Sequence, residues 1–446
     1  MHWKLKVSGY GKIKSAEIEA APLTLFVGDN NSGKSYLMSL LWGIQNFGVL
    51  GLFGAEYKPD TKAAQSVIEW IKTQVASAWE NGENIVPVSE IKNELQSVLN
   101  EGLKQNKNNL ISSIFNSADV KIKELEIELI NLETLSLDFI KTELNFLRIK
   151  SDLGNEMHFS DINSAKLNEN ICHVLLYSLF SIIMGVPMGG INGGDSNIYL
   201  PAARTGFMLT KDIINKVGRN TAFNIGMSQR EMPPFTRPIN QFLDVMNDLT
   251  IDSRGREEFD DIIEYLENGM AEGNLDISGL PNKEVSYAPA GRRKGLPLRV
   301  VSAVVTELSP LILILKHKDN LDTLFYEEPE MCLHPQFQQK MGRVICRLLN
   351  AGVKMSVTTH SDIILQHINN MICMSARKDA EGISKKLGYI SNDFITAEQV
   401  KVYQLKSKAA GKTEVEELVC GEYGFTVSTF NDALDRITDE AYTIQE

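Results

Sequence analysis

Cysteine is scarce in this chain. There are five in 446 residues (Cys172, Cys332, Cys346, Cys373 and Cys420), widely scattered and with no CxxC pair. An odd, scattered set argues against a disulfide framework and a zinc site, and fits a reducing cytoplasm. No stretch of about 18 apolar residues without charge is present, so no membrane span is expected. The N-terminal MHWKLKVSGYGKIKS has no apolar h-region, so no secretory signal is expected either. Positive charge is the minority sign: 45 basic against 57 acidic residues, net −12. That argues against a chain whose whole surface grips nucleic acid, and leaves a local basic patch open. There is no internal repeat and no low-complexity tract.

What is present is ordinary for a globular protein, with 43% apolar and 23% charged residues. The length predicts roughly three domains. Leu5 and Val7 alternate with lysines, Ser8 to Gly11 makes a turn, and Ile13 to Ile18 reads as a second strand. Leu23 to Val27 is a buried strand, and Tyr36 to Gln45 an apolar helix. Residues 56–117 read as a helical insertion. Residues 118–194 read as an antiparallel lobe followed by a helix over 165–185. The lobe rests on the alternation of Leu125, Ile127 and Leu129, on that of Leu135, Leu137 and Phe139, and on a hairpin from Asn145 to Ser160. A glycine-rich loop, 189–194, leads to a short strand from Asn197 to Leu200. Residues 210–285 read as a polar helical insert. An α/β pattern then alternates helix and strand up to about residue 358. A tail, 376–446, adds one strand, Val400 to Leu405, and a last helix.

Three motifs carry chemistry. Gly28-Asp29-Asn30-Asn31-Ser32-Gly33-Lys34-Ser35 is a full GxxxxGK[ST] match between a strand and a helix. Its glycines let backbone N–H groups turn inward around a phosphate, and the helix adds its positive end. Lys34 reaches the outer phosphates, and the Ser35 hydroxyl can ligate Mg²⁺. Asn30 and Asn31 also read as simple turn formers. The nucleotide-binding set is Gly28, Asn30, Asn31, Ser32, Gly33, Lys34, Ser35 and Tyr36. Next, the apolar strand Thr323 to Tyr326 ends in Glu327-Glu328-Pro329-Glu330. The first acid suits a water-bridged Mg²⁺ and the second an attacking water. Last, Thr358-Thr359-His360-Ser361 follows the strand Val353 to Val357. A histidine there can hydrogen-bond a γ-phosphate or the attacking water.

This set, GxxxxGKS, EEPExxLHP and TTHS, resembles the ABC-type ATPases of the RecF, SMC and OLD group. The resemblance covers about 1–50 and 195–375, and the N-terminal part of the head is read as 1–55. It implies an α/β fold: a P-loop NTPase head with a mixed sheet, an antiparallel β lobe and helical insertions. Tyr199-Leu200-Pro201-Ala202-Ala203-Arg204 resembles an element of stand-alone ATPases found in bacterial anti-phage defence operons. The resemblance implies ATP and Mg²⁺ as cofactors, Glu328 as catalytic carboxylate, Glu327 and Ser35 at the metal, and His360 as switch histidine. It places Leu333-His334-Pro335 at the dimer-facing loop. It also implies a homodimer through the heads, within a higher oligomer or alone, and a separate effector, a nuclease or toxin.

The departure from the family is the signature motif. Its best match is Val301-Ser302-Ala303-Val304, where Ser302 keeps a hydroxyl but the glycines are missing. This segment reads either as a helix start touching a partner's ATP or as a plain core helix. Arg204 reads either as site-proximal or as the mate of a surface acid. Arg292, Arg293, Lys294 and Arg299 read either as a solvated loop or as a phosphate or DNA contact. The tail has no Asp-x-Asp, so no nuclease domain is expected here. Three functions stay open: a defence-module sensor ATPase, a DNA-clamping repair ATPase, and a non-hydrolysing nucleotide-gated scaffold.

Overall fold

Alternation in the first residues produces β1 (Trp3–Tyr10) and β2 (Ile13–Ile18), whose apolar residues are buried. The computed structural model describes residues 3–54, 60–144, 146–160, 167–189, 196–223, 235–250, 254–277, 284–292, 294–408 and 411–445. The glycine-rich loop beyond residue 189, Asn145 and Arg293 lie outside them. The chain divides into two compact units, Met1–Glu19 with Ser39–Gly194, and Ala20–Met38 with Asp195–Glu446.

After β2 come β3 (Leu23–Gly28), α1 (Lys34–Phe53), α2 (Lys62–Asn81), β4 (Glu83–Pro87) and α3 (Lys92–Phe115). Strands β5 (Ile122–Leu129), β6 (Ser136–Lys141), β7 (Leu147–Ser151) and β8 (Glu156–Phe159) follow, then α4 (Glu169–Met184). The second half holds β9 (Asn197–Leu200), α5 (Arg204–Phe223), α6 (Arg237–Asp248) and α7 (Asp260–Leu266). Three short strands come next, β10 (Gly273–Ile277), β11 (Val285–Pro289) and β12 (Leu296–Pro297). The chain continues with α8 (Ala303–His317), β13 (Thr323–Glu327), α9 (Pro335–Asn350), β14 (Lys354–Thr359) and α10 (Asp362–Ser375). It ends with α11 (Ala380–Leu387), β15 (Val400–Ser407), β16 (Thr413–Leu418) and α12 (Ser428–Gln445).

The first unit holds two antiparallel sheets. In one, β1 lies between β2 and β5, with Leu5 opposite both Ile18 and Ile127. The other has the order β4-β6-β7-β8. Within residues 56–117, β4 separates α2 from α3 and pairs with β6, Val86 opposite Leu137. Five residues are too few to show a period, and the partner is remote in sequence. The alternating Leu125, Ile127 and Leu129 do form a strand, but it leaves the lobe to pair with β1. Apolar residues on α1, α3 and α4, such as Trp42, Leu99 and Phe180, pack the unit's core. Each such side chain contributes about 1.5–3 kcal/mol of burial.

The second unit is built on the sheet β16-β15-β3-β14-β13-β9, parallel except for β16. A parallel sheet covered on both faces needs continuous apolar strands. Every residue of β3 and β13 is buried. The insert over 210–285 is also corrected: its helices give way to β10 and β11, which with β12 make a small antiparallel sheet. The tail contains α11 and β16 besides the expected strand and helix. One described helix, α1, is long and apolar enough to cross a membrane, although 78% of its most apolar window is buried. A buried core helix meets the same criterion.

Candidate functional site

The ends of three adjacent parallel strands, β3, β14 and β13, carry the three motifs. Strand β3 delivers Gly28 at φ 128°, and a Cβ there would lie 2.2 Å from the Leu405 carbonyl oxygen on β15. Only glycine tolerates both constraints. The loop then turns through Asn31 at φ 57° and Gly33 at φ 101°. Helix α1 begins at Lys34, and Leu37 N–H donates to Gly33 O at 3.2 Å. The first N–H groups of a helix have no intrahelical acceptor, so this end favours an anion. Ser32 is buried and its Oγ has no hydrogen-bond partner in the protein. Lys34 is buried, its Nζ donating to Gly28 O at 3.0 Å and Asp29 O at 2.7 Å. Burial lowers its ammonium to about 8, against the pull of Glu328 and Asp29. Asn30, Asn31 and Ser35 are exposed, and Tyr36 is half-buried.

Strand β13 delivers the two glutamates in different states. Glu327 is buried; its Oε2 accepts the Ala202 N–H at 2.9 Å, while Oε1 has no hydrogen-bond partner. Glu328 adopts φ 42°, a left-handed backbone for a residue with a side chain. Its N–H donates to Thr358 O at 2.9 Å. Its carboxylate is partly exposed, with Oε1 3.7 Å from His360 Nε2. Burial lowers the His360 imidazole to about 4, with the Lys34 charge acting in the same direction. The ring is therefore neutral at pH 7, and each nitrogen keeps a single role, donor or acceptor.

Reading the sequence did not single out Glu330. Its Oε1 accepts the His360 N–H at 2.6 Å and its Oε2 the Thr359 hydroxyl at 2.9 Å. Burial raises its pKa. Two backbone positions after Glu328, it tethers the histidine loop to the glutamate turn. The third acid of EEPE was its only signal. The brace from the tail was missed as well: the Asp29 carboxylate accepts the Ser407 N–H at 3.2 Å, tying the end of β15 to the phosphate loop.

Arg204 does not pair with a surface acid. It is fully buried and paired with the equally buried Glu307 of α8. Ser302 is the exposed N-cap of that helix, its hydroxyl accepting from Val305 N at 3.5 Å. Behind the cap α8 is core, with Leu308 to Leu315 buried. Arg299 pairs with Glu284 at 3.0 Å, while Arg292 and Lys294 are exposed. His334 caps α9 by backbone alone, ahead of Pro335.

The residues present suit a nucleotide and a hydrated Mg²⁺: an N-terminal helix end, an orphan Ser32 hydroxyl, an exposed Ser35 and an unpartnered Glu327 oxygen. Among the described residues no group of three or more His, Cys, Asp or Glu could hold a metal by itself. A P-loop cation takes most of its ligands from phosphate and water.

Comparison with solved structures aligns the chain with an SMC head bound to the C-winged helix domain of ScpA, at 12% identity and TM-score 0.38, covering 93% of this chain and 96% of that one. An SMC head domain from Thermotoga maritima aligns at 11% and 0.34, covering 94% and 100%. An Smc head with an extended coiled coil, bound to the C-terminal domain of ScpA from Pyrococcus furiosus, aligns at 12% and 0.37, covering 99% of each. At these scores the alignments add nothing to the reading of the site. A search of curated proteins returns no match. Residues 1–365 match the family model described as AAA ATPase domain, and the chain belongs to that family.

Proposed function

We propose that this chain binds ATP in the Gly28–Ser35 loop and hydrolyses it. The observation that carries the reading is the convergence of Lys34, Glu328 and His360 at the ends of neighbouring parallel strands, His360 Nε2 lying 3.7 Å from Glu328 Oε1. Glu328, partly exposed, accepts a proton from a water as that water's oxygen bonds to the γ-phosphorus. The bond from the γ-phosphorus to the bridging oxygen breaks, leaving ADP and phosphate. Lys34 offsets charge on the outer phosphates, and neutral His360 orients the water or a γ-oxygen. Mg²⁺, held by Ser35 and through water by Glu327, would neutralise phosphate charge.

Ser302, exposed at the start of α8, is suited to meet a nucleotide held by a second copy. ATP then stabilises a two-fold head pair by mass action. By the resemblance of its strand-and-arginine element, the chain acts in the cytoplasm as the sensor subunit of a bacterial anti-phage module. It would control a separate nuclease or toxin. Salt-sensitive DNA binding that strengthens with ATP would replace this with the DNA-clamp reading.

The test is steady-state turnover beside equilibrium ATP binding. Glu328→Gln should keep ATP bound and slow turnover by about 10²–10⁴-fold, and His360→Ala should slow turnover with binding spared. Wild-type turnover in Glu328→Gln sinks the assignment. Glu328→Gln with ATP–Mg²⁺ should pair by light scattering, and Ser302→Arg in that background should not. Equal pairing would leave Ser302 a plain helix cap.

A further inference from the structure

The function above leaves a buried ion pair unused. Arg204 and Glu307 are both essentially without solvent contact, and ordinary packing gives no reason to bury two charges there. The Arg204 guanidinium touches more than Glu307. Its Nη1 donates to Pro201 O at 2.9 Å and to Glu327 O, and its Nη2 donates to Glu328 O at 3.0 Å. Its plane lies over the Tyr326 ring, 4.7 Å from the centroid. One side chain thus holds the carbonyls of Glu327 and Glu328 and the face of Tyr326 before them. Glu307 holds the other side of the device: Oε1 meets Arg204, and Oε2 accepts Thr205 N–H at 3.2 Å and Thr205 Oγ1–H at 2.7 Å. The same turn sends Ala202 N–H to Glu327 Oε2.

The clamped segment is backbone that would not hold its shape alone. Glu328 sits at φ 42° and Ala203, in the turn before Arg204, at φ 58°, left-handed conformations disfavoured for side-chain-bearing residues. Such strain persists only where surrounding bonds over-determine it. A lysine could supply the charge here, but not four directed donors in one plane.

We propose that Arg204, oriented by Glu307, is a positioning residue for hydrolysis: its planar fork fixes the strained Glu327–Glu328 backbone and so aims the Glu328 carboxylate. Because Glu307 belongs to the helix capped by Ser302, the device also links that helix start to the chain's own hydrolytic turn. The inference rests on Glu328 being the base.

The experiment measures kcat, KM for ATP and ATP affinity for Arg204→Lys, Glu307→Gln, Glu328→Gln and the double variant Arg204→Lys/Glu328→Gln, with thermal midpoints alongside. Arg204→Lys should lower kcat by about 100-fold, as expected when a reacting group is misplaced by about 1 Å, while ATP affinity stays at the wild-type value. Glu307→Gln keeps the volume and the acceptor and should lower kcat by about tenfold; it stands in if Arg204→Lys does not fold. The double variant should be no slower than Glu328→Gln, since both changes act on one step. Wild-type kcat in folded Arg204→Lys, or in Glu307→Gln where that variant stands in, overturns the inference. So does a parallel fall in kcat and ATP affinity, or losses that multiply in the double variant. If Glu328→Gln itself turns over at the wild-type rate, it is the assignment of the base that fails.

Discussion

The two units place left-handed backbone on different residues. Among the described residues of the first unit, the non-glycine positions with positive φ are Asn116 and Asn131, at 51° and 55°. Asparagine is the side chain that visits this region most readily. Asn116 caps the end of α3, where such a turn is routine. In the second unit the positions are Asn31, Ala203, Glu272, Glu328 and Cys332. Three of them, Ala203, Glu328 and Cys332, have no local reason to be there and fall in two turns that bond to each other. Among its described residues the first unit keeps to local rules. The second breaks them around the acids that face the phosphate loop.

The largest expected effect is on nucleotide binding. Lys34→Ala should weaken ATP binding at least about 100-fold, the upper worth of a hydrogen bond to a charged group. The wild type should show the same dependence on pH. Burial sets the Lys34 ammonium at about 8 in the free protein. Below that pH it is charged; above it the proton must return for ATP to bind, so affinity should fall about tenfold per unit. Calorimetry between pH 7 and 10 measures this, and a flat profile would remove Lys34 from the phosphate.

A second change sharpens the contrast from the other unit. A Cβ on Gly102 would lie 2.3 Å from Phe53 Cδ1. Gly102→Val should cost about 1–3 kcal/mol by overpacking and leave ATP affinity as it is. An equal loss of both would show that the first unit is more than a packed scaffold.

The smallest effect tests the strain itself. Ala203→Gly should raise stability by roughly 0.5 kcal/mol, relief of the left-handed alanine exceeding the added entropy of the unfolded glycine. Asn131→Gly should give no gain. Chemical denaturation of both reads the difference, and equal shifts would mean that the comparison of the units has no energetic content.

The chemistry was legible in the sequence because each motif is a short run at a strand end. Gly28 to Ser35, Glu327-Glu328 and His360 each announce themselves within eight residues, and the parallel sheet brings them together. What was illegible is what joins them. Glu307 looks like one more polar residue in an apolar helix until Arg204 is seen against it. Glu330 reads as a solvated acid until the His360 N–H is found on it. Strand β4 escaped notice because its partner β6 lies beyond all of α3. Local pattern reports secondary structure and exposed chemistry; buried polar partners far apart in sequence leave no period to read.

Strand β3 has neighbours that come far later in the sequence. Its sides are covered by β14 and β15, and Asp29 beside it takes its brace from Ser407, 378 residues later. During synthesis the phosphate loop leaves the ribosome well ahead of β14 and β15, the strands that shape it. At about 5–20 residues per second, tens of seconds pass before they arrive. Nascent chains halted before β15 would carry the whole motif and lack one of its two walls and the Ser407 brace. Nucleotide binding would thereby report that synthesis had passed β15.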